Sequence, residues 1–239
     1  MHDIVLNFYT TDEVVYNNPP QLLKQSIPEW WHDLPPKYIN EEVYGDMPKS
    51  TMKSCDGFNQ FFSNGFTISF PEDIVFNVGK NIEEGITSEY DKFEVHVSQQ
   101  RGSFLNKENY QHIKLLYPWF IECEEEVKFV FLANTWCIDK PEDVIIPPGV
   151  VDFVTQYAAH VNMFIPFNTS RIVKIPAKSQ FVALIPLSDR KLQLNCHLID
   201  KLEYDKRVTN SYHFKRALHR HNKDVIKHFG CPFHLPETK

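Results

Sequence analysis

Between Ile145 and Leu187 the chain reads IIPPGVVDFVTQYAAHVNMFIPFNTSRIVKIPAKSQFVALIPL, and this stretch constrains the fold more than any other. It is rich in Val and Ile, which suit a pleated half-buried surface, and it is cut by Pro-Pro-Gly and Ile-Pro-Ala turns. Proline cannot donate to a ladder, so these prolines mark strand ends. The pattern predicts three or four short strands with the cadence of a small β-barrel. The same signature recurs in residues 4–9, 66–70, 74–78, 93–97, 113–123 and 128–134, and Leu192, Leu194, Cys196 and Leu198 alternate with polar residues as in a half-buried strand.

Helical signals are few. Pro19-Pro20 and Pro35-Pro36 bracket a short amphipathic segment whose anchors are Trp30 and Trp31, and Cys55–Phe62 suits a short helix capped at Asn64-Gly65. From Tyr212 to Phe229, apolar residues fall at roughly helical spacing, with Gly230 and Pro232 as a stop. The expected class is therefore mainly β, a barrel or sandwich with short N-terminal helices and one C-terminal helix. A chain of 239 residues can bury a core as one domain. We expect an N-terminal strand-and-helix adornment over 1–70, a β-barrel core over 71–205, and a C-terminal helix and tail over 206–239.

Composition excludes several classes. With 25 Lys+Arg against 31 Asp+Glu, a net charge of −6 and no block of like charges, the chain lacks the electrostatic footprint of a general nucleic-acid binder. It shows no secretory signal and no run of about 18 apolar residues, so a soluble, unexported protein is expected. The 5 cysteines are odd in number and widely spaced, which favours reduced thiols over a disulfide framework. With only 8 glycines and no phosphate-cradling motif, ATP-driven chemistry and dinucleotide cofactors are set aside.

The densest ionisable cluster lies at the end of the chain, where His228, Cys231 and His234 recur at intervals of three. Imidazole and thiolate are natural zinc ligands, so these three are the candidate metal site; solvated histidines on a helix face are the competing reading, and no cofactor is otherwise expected. No cysteine occupies a recognisable catalytic context, and no Gly-x-Ser-x-Gly elbow occurs. Trp30 and Trp31, if exposed, would anchor a protein interface.

Four pieces stand in one order along the chain: IPEWW at 27–31, TMKSCDGF at 51–58, YPWFIE at 117–122, and PPGVVDF with IPAKSQFVALIPL between 147 and 187. In this they resemble an uncharacterised protein family of large, notably marine, tailed bacteriophages, which implies a phage origin and a place in the host cytoplasm or the virion. Gly149-Val150-Val151-Asp152, followed by a strand, Ile175-Pro176-Ala177 and a second strand, also looks like the core of the dUTPase and dCTP-deaminase fold, of β-clip type. That resemblance implies that Asp152 stands beside a nucleotide sugar. The active motifs of that fold carry Tyr and Gly where Thr155 and Tyr157 stand here. They end Gly-Asp-Arg-Ile-Ala-Gln-Leu, where this chain has Lys178 to Leu184 and places Ala183 at the nucleotide-contacting Gln. The fold is then expected without the catalysis.

These readings lead to a non-catalytic binding or structural protein acting through its surfaces, as a homo-oligomer, a trimer being the usual state of dUTPase-like barrels, or against a phage or host protein. The alternative is a nucleotide-binding or nucleotide-processing protein with a degenerate site made of Asp152, Gln156 and Tyr157.

Overall fold

The computed structural model describes residues 2–40, 45–97, 104–105, 108–136, 144–167 and 169–211. The chain divides into two compact units, Met1–Leu198 and Ile199–Lys239.

The first strand shows how period-two patterning becomes structure. In β1 (Ile4–Thr10) Ile4, Leu6, Phe8 and Thr10 are buried while Val5, Asn7 and Tyr9 are half-buried. β1 lies between β10 (Phe120–Cys123), which it pairs with antiparallel, and β16 (Leu192–Leu198), which runs parallel to it in the register Ile4↔Leu192 to Thr10↔Leu198. The opening strand is thus the centre of a sheet whose partners lie more than a hundred residues downstream.

A second sheet has the order β12 (Gly149–Asp152), β11 (Lys128–Ala133), β15 (Val182–Pro186), β5 (Phe66–Ile68), β2 (Gln21–Leu22). Its inner strands β5 and β15 are almost continuously apolar and buried, as strands covered on both faces must be. The third sheet joins β13 (Val161–Pro166), β9 (Tyr110–Leu115) and β8 (Phe93–His96), and the fourth joins β14 (Arg171–Ile175), β6 (Ile74–Val78) and β7 (Ile86–Ser88). β3 (Lys37–Asn40) and β4 (Gly45–Ser50) pair with each other as a two-stranded arm.

The mainly β class expected from the sequence is the observed one, built as several small open sheets; no ladder closes into a barrel among the described residues. The stretch from Ile145 to Leu187 yields four strands as expected, but they are dealt among three sheets: β12 and β15 both flank β11, while β13 and β14 join the third and fourth. The strand predicted over 113–123 is two, because Pro118 lacks an N–H and the chain leaves one sheet at Leu115 to enter another at Phe120. β1, β2 and β5, within the first 70 residues, belong to the two principal sheets, and the division between compact units falls at Leu198.

One core unites the four larger sheets. Phe8 meets Phe66 edge-on at 5.4 Å and Trp119 at 6.0 Å, Phe66 meets Phe129 at 6.0 Å, and Phe76 meets Phe93 at 5.4 Å. Such T-shaped pairs add to the area term that burial of the rings contributes.

The helices are short. In α1 (Glu13–Tyr16) the Asp12 carboxylate accepts from the Val14 and Val15 amides at 2.8 and 3.1 Å. α2 (Glu29–Asp33) follows Pro28, and α3 (Asp56–Ser63) buries Phe58 and Phe62. In the second unit, residues 201–211 form the helix α4, where Glu203 N–H donates to Asp200 and Lys201–Asp205 and Arg207–Glu203 form i,i+4 pairs. The segment Tyr212–Phe229, read as helical from its spacing, lies outside the described residues. Among the described residues no helix is long and apolar enough to cross a membrane.

Candidate functional site

The turn after β12 carries the three residues suggested as a degenerate nucleotide site. Asp152 accepts the Val154 N–H on its carboxylate at 2.9 Å, and its main-chain carbonyl accepts from the Thr155 and Gln156 amides at 3.1 and 2.8 Å. One carboxylate oxygen thus caps its own turn, a local use that Asp side chains favour. Gln156 is exposed. The carbonyl of Tyr157 accepts from Ile121 N–H at 2.7 Å, and its ring stacks on Phe120 at 5.5 Å. Phe120 leans on Tyr9 at 6.3 Å, and Tyr9 stacks on His197 at 4.9 Å. Tyr157 thus ends a row of four rings crossing the β10–β1–β16 sheet, an arrangement of cross-strand pairs that stabilises a sheet.

Lys178 carries the other half of that resemblance. Its φ of 63° places it in the left-handed region, and its amide donates to Phe70 O at 2.7 Å. The dUTPase-like motif has glycine at this position, the residue for which such a backbone is unstrained.

Trp30 and Trp31 are half-buried and pack against a satellite cluster of Leu23, Phe58, Phe62 and Ala183. Trp31 stacks on Phe58 at 5.5 Å, Trp30 meets Phe58 at 5.8 Å and Trp136 at 6.4 Å, and Lys53 sits 4.8 Å over the Trp31 ring. Trp30 Nε1 donates to the Trp136 carbonyl at 3.3 Å, whereas the buried Trp31 Nε1–H finds no acceptor among the described residues. His228, Cys231 and His234 lie outside the described residues, and no group of three His, Cys, Asp or Glu suited to a metal ion occurs among the described ones.

A cleft of about 370 Å³ opens where sequence reasoning placed nothing, lined by Asp3, Leu22, Lys24, Ser63, Asn64, Gly65, Lys191 and Leu192. Four pieces of chain build it: the residue before β1, the passage from β2 into the 3-10 turn Leu23–Gln25, the exit of α3, and the entry of β16. The parallel pairing of β1 with β16 brings Asp3 and Lys191 to the same end of the sheet. Gly65 has φ 138°, and a Cβ there would sit 2.6 Å from Leu184 O and from Leu23 Cδ1. Asn64 Nδ2 donates to the carbonyls of Ser188 at 3.4 Å and Arg190 at 2.7 Å.

Arg190 completes the frame. Its guanidinium grips Glu125 bidentately and donates to the main-chain carbonyls of His2 at 2.6 Å and Asp3 at 3.1 Å, which fixes the start of β1 beside the start of β16. The same pair holds the Glu125 carboxyl below the ordinary carboxylate range and the guanidinium above its own. Nothing in the sequence flagged this cleft: Lys24 and Lys191 lie far apart along the chain, and Asn64-Gly65 reads only as a helix cap. No protein-family model matches the chain, and no curated protein matches it.

Proposed function

We propose that this chain is a non-catalytic binding or structural protein that acts through its surfaces and self-associates, the homotrimer being the first expectation, with a phage or host protein as the other class of partner. The β3–β4 arm carries this reading. Its two strands pair only with each other among the described residues. Tyr38, Ile39 and Met47 stand on it 49%, 59% and 67% exposed. Large apolar side chains exposed on a two-stranded arm suit a contact site. Supported by its resemblance to proteins of tailed bacteriophages, the chain would work in the host cytoplasm or within the virion.

The test is the mass in solution of the wild-type chain and of an Ile39→Asp/Met47→Asp variant. An oligomer that becomes monomeric in the variant, with an unchanged melting temperature, is the expected result. A wild-type chain that stays monomeric when concentrated removes the self-association reading.

A degenerate nucleotide site is the second reading, favoured by the left-handed Lys178 at the glycine position of the dUTPase-like motif. Stabilisation by dUTP or dCTP that vanishes in Asp152→Ala would establish it, because a ligand that binds only the native state raises the melting temperature.

A further inference from the structure

We propose that the cleft between Asp3, Lys24, Asn64 and Lys191 binds a small phosphorylated polyol of the size of a sugar monophosphate. This inference is independent of the arm.

Charge is the first argument. Among the described residues Lys174 pairs with Asp73 at 2.5 Å, Lys114 with Glu94 at 2.8 Å, and Arg190 with Glu125. Lys24 and Lys191 line one cleft from different elements, and neither makes an ion pair among the described residues. The two ammonium groups against the one carboxylate of Asp3 give the lining a net positive charge on a chain whose net charge is −6. A concave, locally cationic site on an otherwise anionic protein concentrates small anions. Two lysines on the lining of one cleft suit a dianionic phosphate, to which ammonium groups donate charge-assisted hydrogen bonds.

Shape and preorganisation are the second argument. A volume of about 370 Å³ lies at the lower end of the range for small-molecule sites. The walls are fixed before any ligand arrives: Asn64 is held by two carbonyls, Gly65 has no room for a side chain, and Arg190 pins the strand entry that carries Asp3. Such rigidity lowers the ordering entropy lost on binding.

The lining also selects the body of the ligand. Among the described residues no aromatic ring lines the cleft, so none of them offers a nucleobase a stacking face. The Asp3 carboxylate and the Asn64 side-chain carbonyl are acceptors suited to hydroxyl groups, while Leu22 and Leu192 offer an apolar surface for sugar C–H groups. Lys24, Lys191 and Asp3 are exposed, so their substitution leaves the core untouched.

Calorimetric titration and thermal shift with glucose 6-phosphate and ribose 5-phosphate test the assignment, with glucose, inorganic phosphate and deoxyuridine monophosphate alongside. Saturable binding of a sugar phosphate, weaker binding of inorganic phosphate and none of glucose are expected. Lys24→Gln/Lys191→Gln should weaken binding on the order of tenfold or more, the scale of losing a charged hydrogen bond. Asp3→Asn should erase the preference for sugar phosphate over inorganic phosphate. Absence of binding by either sugar phosphate at millimolar concentration overturns the proposal, as does binding unaffected in the double variant. Equal binding of inorganic phosphate overturns the polyol assignment, and tighter binding of the nucleotide would overturn it in favour of a base-reading site. Adding salt to the wild-type protein supplies a readout that needs no variant: affinity should fall as ionic strength rises.

Discussion

Of the five positive-φ positions among the described residues, Gly65 and Lys178 make opposite demands on a side chain. At Gly65, with φ 138°, a Cβ would meet a backbone oxygen and a buried leucine, so Gly65→Ala should destabilise the protein by about 2–4 kcal/mol. At Lys178, with φ 63°, a side chain is tolerated at the expense of local strain, so Lys178→Gly should stabilise by up to about 1 kcal/mol. Urea titration of both variants checks the pair, and shifts of the same sign would contradict the conformational argument. Gly65 was legible in the sequence as a turn after a helix. That it floors a cleft was not, because the surfaces it meets come from residues 23 and 184.

At the scale of elements, α3 was legible to within a residue because its apolar positions and the Asn64-Gly65 stop agree with one another. Its buried face was not assignable to a partner. Phe58, 1% exposed, is the ring on which Trp30, Trp31 and Trp136 converge. Phe58→Ala should therefore cost about 3–5 kcal/mol, and tryptophan emission should move to longer wavelength even in conditions where the chain stays folded. Unchanged emission would mean that the three indoles pack without Phe58. The tryptophans were visible from the outset as anchors, yet their meeting at Phe58 depended on the distant Trp136 and on α3.

For the molecule as a whole, stability should fall on both sides of a neutral plateau. Side-chain hydrogen bonds from Lys174, Lys114 and Arg190 hold Asp73, Glu94 and Glu125 below the ordinary carboxylate range. A depressed carboxylate pKa contributes stability that is present above the unfolded value and is lost as pH falls through the folded one. On the alkaline side burial pushes the Cys196 thiol from 9.0 up to about 11, and raises Cys123 in the same direction. A raised thiol pKa contributes stability that is present below the unfolded value and is lost as pH climbs from 9.0 toward about 11. Melting temperatures measured across pH should show both limbs, and Cys196→Ala should shrink the alkaline one. An alkaline limb unchanged in that variant would assign it to other groups, the buried Tyr117 first among them.

What the sequence determined by itself is local. Period-two alternation set the strands and their buried faces, prolines set their ends, and the scarcity of helical spacing set the class, because each of these follows from steric and hydrogen-bonding demands within a few residues. Tertiary structure decided which strands meet. The parallel union of β1 with β16, the dealing of four consecutive strands among three sheets, and the placing of Lys24 and Lys191 on the lining of one cleft depend on contacts across up to about 190 positions of chain. No local pattern encodes them, because the side chains that select such pairings become neighbours only when the shared core has formed.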